Sequence, residues 1–364
     1  MKEEEEKEQE EQEQEEQEEE EKEKEKEKPK YELTDIILGK GTSGEVFLCY
    51  NIEDKKQYAA KLISKKLLED ESKLLLIEDE ILISTTCQHT NLVKVYDLVE
   101  IKENKYLILE YCNGGDLLSA LNKYRLKYGE VIEEEIIRKI ILDIFLGLKC
   151  LHDNNIIHHD IKPQNILLQY ENEDDLNNII FSKCTFKITD FSVSSNLKDK
   201  EENNNVTVKG SPLYMEPLLF EKNLKFEQIE NKKVDIWSLG ILTYELLFNH
   251  NPFYNNKFDD SAINDLIANF KRETYIFDFQ IRKEISFQVI SFINNCLQYN
   301  QDKRIDCELL QFSEFFTRDI KKFSFLNIDN LWEFFPHDYI TKDKNAIILS
   351  IKDDRKLNEE IDMF

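Results

Sequence analysis

The chain has no CxxC pair, no apolar segment at its N-terminus and no apolar run long enough to cross a bilayer without charges. Each absence removes a class of protein. The seven cysteines (49, 87, 112, 150, 184, 296 and 307) are odd in number, scattered and set mostly among apolar residues. That pattern suggests neither a disulfide framework nor a zinc module, and it points to a reducing compartment. Without a signal-type or membrane-spanning run, a soluble cytoplasmic protein with no membrane insertion is expected, the nucleus remaining open. Positive charge is also scarce: 48 Lys and Arg stand against 74 Asp and Glu, a net −26 at pH 7. Nucleic acids and anionic lipid surfaces are therefore poor partners on bulk electrostatics, and basic substrates or partner segments fit better.

What is present is enough for a sizeable core. Of 364 residues 41% are apolar, room for one large domain or two small ones. Residues 1–28 stand apart, with 17 Glu, 6 Lys, 4 Gln and one Met, net −11. From Glu21 to Lys28 acid and base alternate, so residues four apart carry the same sign, which costs helix stability. With nothing apolar to bury, residues 1–29 are expected to be a disordered tail.

From Tyr31 the pattern becomes strand-like: Asp35-Ile36-Ile37-Leu38, then Gly39-Lys40-Gly41-Thr42-Ser43-Gly44-Glu45-Val46, then Phe47-Leu48-Cys49-Tyr50. Alone, three glycines fit a plain hairpin as well as a phosphate-binding loop. A dinucleotide site would need a helix after the third glycine, and a strand follows instead. Lys61 ends the strand-like Tyr58-Ala59-Ala60, where a lysine is ordinarily a solvated charge. A charged, Leu/Ile-rich helix over Glu69–Cys87 carries Glu78, Asp79 and Glu80. Tyr106-Leu107-Ile108-Leu109-Glu110-Tyr111-Cys112-Asn113-Gly114-Gly115-Asp116 reads as a strand, a glycine turn and a helix cap.

The chemistry concentrates in His158-His159-Asp160-Ile161-Lys162-Pro163-Gln164-Asn165-Ile166-Leu167, a polar loop between an apolar helix and an apolar strand. It offers a base, a cation two residues on and an amide oxygen five on. A second carboxylate follows in Ile188-Thr189-Asp190-Phe191-Ser192. One acid to orient a hydroxyl, one acid and one amide for a metal, and a lysine for a phosphate make a set suited to phosphoryl transfer.

The order of these pieces resembles the eukaryotic protein kinase superfamily of Ser/Thr type, loosely its calcium/calmodulin-dependent group, over roughly residues 32–316. Late landmarks agree: Gly210-Ser211-Pro212-Leu213-Tyr214-Met215-Glu216-Pro217, Val234-Asp235-Ile236-Trp237-Ser238-Leu239-Gly240 and Asp302-Lys303-Arg304-Ile305. The resemblance implies an α+β, bilobal fold: a kinase domain over 30–316, with a small β-rich lobe (30–112) carrying one regulatory helix and a larger, mainly helical lobe (113–316). Residues 317–364, with Trp332, Phe334 and Ile347-Ile348-Leu349, are too apolar for a free tail and should pack on the domain or bind a partner.

The resemblance also implies ATP and Mg²⁺ as cofactors and assigns the site. Leu38, Gly39, Lys40, Gly41, Gly44, Val46, Ala59, Leu109, Glu110, Cys112, Asp116 and Leu167 would bind nucleotide, with Leu109 as gatekeeper and Asp116 toward the ribose. Lys61 would take the α- and β-phosphates; counting back nine residues from His89 selects Glu80 over Glu78 as its acid. Asp190 and Asn165 would hold metal, Asp160 would accept the substrate's proton, Lys162 would offset phosphoryl charge, and Ser211 would brace both. The Asp-x-Lys-x-x-Asn spacing resembles Ser/Thr kinases, so protein Ser/Thr hydroxyls are the expected acceptors.

Three departures bear on regulation. His159 stands where the family has the arginine that binds activation-loop phosphate, and a mostly neutral imidazole does so poorly; phosphorylation at Thr207 should therefore matter less than usual. Ser192 replaces a glycine, and Leu218 replaces the acid that would pair with Arg304, leaving Glu216 or Glu221 as substitutes. These changes motivate an alternative, a kinase-shaped pseudokinase acting as a nucleotide-binding module, against which stands retention of Lys61, Asp160, Asn165 and Asp190. A third reading takes His158, His159 and Asp160 as metal ligands of a hydrolase, but adjacent histidines diverge. Gln169–Asn178 is expected to be an exposed acidic insertion. Ile320-Lys321-Lys322-Phe323 is only faintly like a calmodulin target, with Asp319 and Asp329 interleaved.

Overall fold

A computed structural model describes residues 30–41, 44–63, 71–101, 104–197, 210–220, 229, 231–254, 262–270, 274–278, 281–319, 321, 325–326 and 346–350. The chain forms two compact units, one built from residues up to 71 together with 95–111, the other from 72–94 and 112 onward. Thr207, Trp332 and the Glu-rich head lie outside the described residues.

The smaller unit is a five-stranded antiparallel sheet of β1 (Tyr31–Gly41), β2 (Gly44–Asn51), β3 (Gln57–Ile63), β4 (Val95–Ile101) and β5 (Asn104–Glu110), in the order β1-β2-β3-β5-β4. Side chains alternate across a strand, and residues paired across strands share a face. Cys49, Ala60, Tyr106 and Ile108 thus gather on one face around Tyr31, with Phe47, Tyr58 and Leu62 against them. Tyr58 meets Tyr31 and Tyr96 edge-on, with centroids 5.6 and 5.0 Å apart. Register pairs Val46 with Lys61, Leu48 with Ala59, Ala59 with Leu109 and Lys61 with Leu107, so these six share the opposite face.

The larger unit is mainly helical: α1 (Glu71–Thr86), α2 (Leu117–Tyr128), α3 (Glu134–Asp153), α4 (Glu173–Asn177), α5 (Lys233–Phe248), α6 (Ala262–Phe270), α7 (Phe287–Cys296), α8 (Cys307–Leu310) and α9 (Glu314–Thr317). Helix α1, expected in the small lobe, groups with this unit. The reason is packing: Ile83, Cys87 and Leu92 join the same apolar cluster as α3 and α5. Helix α3 buries an amphipathic face that includes Ile137, Ile141, Ile144, Leu148 and Leu151. Helix α5 buries every residue but Lys233 and Glu245, so it is apolar all round and forms the centre of the unit.

Two short pairs, β6 (Ile156–Ile157) with β9 (Ser195–Asn196) and β7 (Ile166–Tyr170) with β8 (Cys184–Ile188), flank the polar loop. The acidic insertion between β7 and β8 is mostly exposed, as expected, and carries a short helix. Asn172 caps α4, Tyr128 donates to the Asn178 carbonyl at 2.8 Å, and Leu176 and Ile179 pack on the core. Past residue 316, β12 (Phe325–Leu326) pairs with β11 (Ile285–Ser286) and β13 (Ala346–Ser350) with β10 (Thr274–Asp278). These described stretches of the C-terminal extension are thus paired with strands of the larger unit.

Candidate active site

The β7–β8 hairpin explains why the polar residues meet. Its register sets Ile166 opposite Ile188, so Asn165, just before one strand, and Asp190, two residues after the other, emerge at the same end. The Thr189 amide donates to the Asn165 carbonyl at 3.0 Å, fixing that end. Residues 91–93 hold the hairpin from the side: Ile188 N donates to Asn91 O at 2.8 Å and Val93 N to Ile188 O at 2.9 Å. The stretch His89-Thr90-Asn91-Leu92-Val93 is therefore a structural brace.

Within the loop, Asp160 is nearly buried (8% exposed). Its Oδ2 faces Lys162 Nζ at 2.6 Å and accepts from Asn165 Nδ2 at 2.9 Å. Its Oδ1 is buried with no partner among the described residues. A buried acceptor left open is costly unless something outside the chain completes it, so this atom marks a ligand position. Lys162 Nζ also donates to Ser211 Oγ at 2.7 Å. Asp160, Lys162, Asn165 and Ser211 thus form one bonded group, in which Ser211 meets Lys162.

Behind that group stands Asp235 of α5, which the sequence flagged only as part of a landmark. It is fully buried and accepts from the backbone N–H groups of His158 and His159 at 2.9 and 2.8 Å. Burial pushes its carboxyl up, yet the hydrogen bond to His152 and the neighbouring imidazoles outweigh burial and leave its pKa lowered. An aspartate inside an otherwise apolar helix was the signal that could have singled it out, because a buried charge must be paired.

The two histidines do point apart. His158 bonds the Thr189 carbonyl through Nε2 at 3.1 Å and accepts from Asp160 N through Nδ1 at 3.2 Å. Burial lowers its pKa, which keeps it neutral. His159 Nε2 meets Ser195 Oγ at 2.7 Å. No group of three or more His, Cys, Asp or Glu side chains suits a metal among the described residues.

The remaining assignments fall as follows. Phe191 is buried with its ring edge-on to His158, centroids 5.6 Å apart. Ser192 is not among the residues with positive φ, whereas Asp190 is, at φ 65°, so this conformation does not call on a glycine at 192. Lys61 and Glu80 are both buried, at 8% and 6% exposure. Ser84, where the family packs an apolar group, is satisfied by donating to the Glu80 carbonyl at 2.8 Å.

Leu167 forms a bridge with Asp116, and Gly114 N donates to Leu168 O at 2.8 Å, which ties the glycine turn to β7. Asp116 itself is engaged as the cap of α2, accepting from Ser119 N at 2.9 Å and Ser119 Oγ at 2.7 Å, so the plain cap is what the geometry displays. In the smaller unit, Gly39 pairs with Val46, Lys40 with Glu45 and Gly41 with Gly44. Gly44 sits at φ 126°, and a Cβ there would meet Leu62 O at 2.7 Å, so a side chain is excluded. Leu38 is exposed, while Cys112 is buried.

The missing partner of Arg304 is Glu216. Both side chains are fully buried, with Arg304 Nη1 against Glu216 Oε2 and Gln301 Nε2 donating to the other carboxylate oxygen.

Comparison with known proteins agrees with this geometry. The protein kinase domain family matches residues 31–316, and the chain belongs to that family. It is 34% identical over 276 residues to calcium-dependent protein kinase 5 of Plasmodium berghei, covering 76% of this chain and 44% of that protein. It is 30% identical over 280 residues to calcium/calmodulin-dependent protein kinase type 1 of Caenorhabditis elegans, covering 77% and 72%. A calcium/calmodulin-dependent protein kinase type I of Schizosaccharomyces pombe is 30% identical over 269 residues, covering 74% and 73%. The chain thus spans less than half the length of the Plasmodium relative and about seven-tenths of the other two.

Proposed function

We propose that the protein is an ATP-dependent serine/threonine protein kinase. The observation that carries this is Asp160: one oxygen is saturated by Lys162 and Asn165, and the other is buried and open. An incoming hydroxyl can donate to Oδ1, which orients its oxygen and finally takes its proton. Lys162, held between Asp160 and Ser211, supplies fixed positive charge for the moving phosphoryl group. Lys61 is assigned to the α- and β-phosphates and Glu80 as its acid, carried over from the sequence. Val46, Ala59 and Leu109, on one sheet face, offer an apolar surface to a base.

Asn165 and Asp190 offer hard oxygen donors at one end of a hairpin, which suits Mg²⁺ with most of its waters retained. Asn165 uses Nδ2 for both hydrogen bonds to Asp160, so Oδ1 is its metal-type atom. Bound there, the ion would neutralise phosphate charge.

Protein Ser/Thr side chains are the proposed acceptors, on the Asp-x-Lys-x-x-Asn spacing. Basic sequences are favoured by a folded part of −15, that is −26 less the −11 of residues 1–28. Calmodulin control belongs to the relatives' names, and the faint basic stretch at 320–323 is weak support for it here. A cytoplasmic setting rests on the seven free cysteines.

The test is Mg-ATP-dependent transfer of labelled phosphate to basic Ser/Thr and Tyr peptides by the wild type and Asp160→Asn. Two donors, Lys162 Nζ and Asn165 Nδ2, will hold the new amide oxygen at the Oδ2 place. The NH₂ then stands at Oδ1, where it cannot accept a proton, and kcat should fall by roughly 10²- to 10⁴-fold. Equal transfer by both proteins refutes the assignment of the base. ATP binding without transfer by either returns the protein to the pseudokinase reading.

A further inference from the structure

We propose that Glu216 is the positioning residue of the segment carrying Ser211, clamped from below by Arg304 and Gln301. This rests on the kinase reading above and assigns the role to a residue two positions before the one the family pattern indicates.

The pair is built as a fixed point. The Arg304 guanidinium donates to the carbonyls of Gln298 and Lys233 at 2.8–3.0 Å and lies over the Trp237 ring, 5.1 Å from its centroid. Its position is therefore set by backbone from two elements before Glu216 is considered. One carboxylate neutralises it, and that carboxylate's second oxygen is taken by Gln301, whose own Oε1 accepts from Asn231 at 3.3 Å. Glu216 thus meets Arg304 through Oε2 as an ion pair and Gln301 through Oε1 as a hydrogen bond, and leaving either buried charge without its partner is strongly unfavourable. Leu218, apolar and half-buried, has no group that could meet a guanidinium.

The clamp reaches the active group through a short, jointed run. Glu216 lies five residues after Ser211, whose hydroxyl accepts from Lys162. Between them Tyr214 N donates to Ser211 O at 2.9 Å, Ser238 Oγ donates to Tyr214 O at 2.8 Å, and beyond them Leu219 N donates to Glu216 O at 3.1 Å. At the other end Gly210, at φ 105°, packs on the His159 carbonyl. The segment is pinned at both ends, and Ser211 sits where the pins place it.

The experiment compares wild type, Glu216→Gln, Ser211→Ala and the double variant in the peptide assay, with hydrogen exchange over 210–220. Glu216→Gln keeps the volume but sets an amide NH₂ against one of two donors. The expected result is a kcat at least about tenfold lower with KM for ATP within about twofold. The effect should shrink in the Ser211→Ala background, because both changes act on Lys162. Exchange should quicken at Ser211–Tyr214 and not in α3. Gln301→Leu, which leaves the ion pair intact, serves if Glu216→Gln does not fold, with a smaller kcat loss expected and an unchanged kcat counting against the clamp. A loss additive with Ser211→Ala and tracking the melting temperature overturns the proposal. A wild type without transfer refutes the kinase reading instead, and the clamp is then judged by exchange alone, unchanged rates sinking it.

Discussion

Glu245 gives a prediction whose size can be worked out in advance. It is one of the two α5 residues not fully buried, and its Oε2 accepts from Tyr214 Oη at 2.7 Å. Burial pushes its carboxyl up to about 7 from 4.5, and the Tyr214 hydrogen bond and Arg125 only partly offset that. The folded protein therefore binds more protons at this site than the unfolded chain between those two values. Stability from this group is fully present below about pH 4.5 and lost as pH rises through about 7. At about 1.4 kcal/mol per unit the full effect would approach ~3 kcal/mol, and partial solvent access reduces it to about 1–2 kcal/mol.

Glu245→Gln removes the titration, keeps the volume and leaves an amide oxygen for Tyr214. It should be neutral near pH 5, where the wild-type acid is already protonated, and stabilising by about 1–2 kcal/mol near pH 8. Urea titrations of both proteins at the two pH values measure this as a double difference, in which every other titrating group cancels. An equal effect at both pH values, or stabilisation confined to the acid side, would refute the reasoning.

Gly210→Ala should cost about 2 kcal/mol or more, because φ is 105° and the new Cβ would run into the His159 carbonyl; a melting curve tests this, and an unchanged midpoint would contradict it. Thr207→Ala should lose less than about a hundredfold in rate, ~2.7 kcal/mol, since an imidazole already bonded to Ser195 stands where the family has a phosphate-binding arginine; a larger loss in the peptide assay rejects this. Ser211→Thr should retain transfer and Ser211→Ala should lose about tenfold in kcat, as only the first keeps an acceptor for Lys162; equal rates would show that the 2.7 Å bond is idle.

The sequence was most legible where chemistry requires a residue type at a fixed spacing. Asp160, Lys162 and Asn165 lie within six residues, so a loop joining helix and strand had to bring them together, and it does. Legibility fell where one residue type serves two purposes. Asp116 opens a helix, and an aspartate there caps it whether or not a ribose is near. Helix α1, placed with the small lobe by the family resemblance, groups with the larger unit, because Ile83 and, past the helix end, Cys87 and Leu92 join that unit's apolar core.

Arg304 shows the limit from the other side. From sequence it lacked an acid, and both Glu216 and Glu221 were in range, so spacing could not choose between them. Burial chooses. A guanidinium fully enclosed beside Trp237 needs a carboxylate equally enclosed, and Glu216 is that residue among those described. The same reasoning identifies Asp235 and accounts for the open oxygen of Asp160. Among the described residues Asp235 has both oxygens bonded within the frame that holds the loop, whereas Asp160 keeps Oδ1 open at the atom where a substrate hydroxyl would complete the set. Pairing is a property of three-dimensional neighbours, so it separates the frame from the reacting group where residue type alone could not.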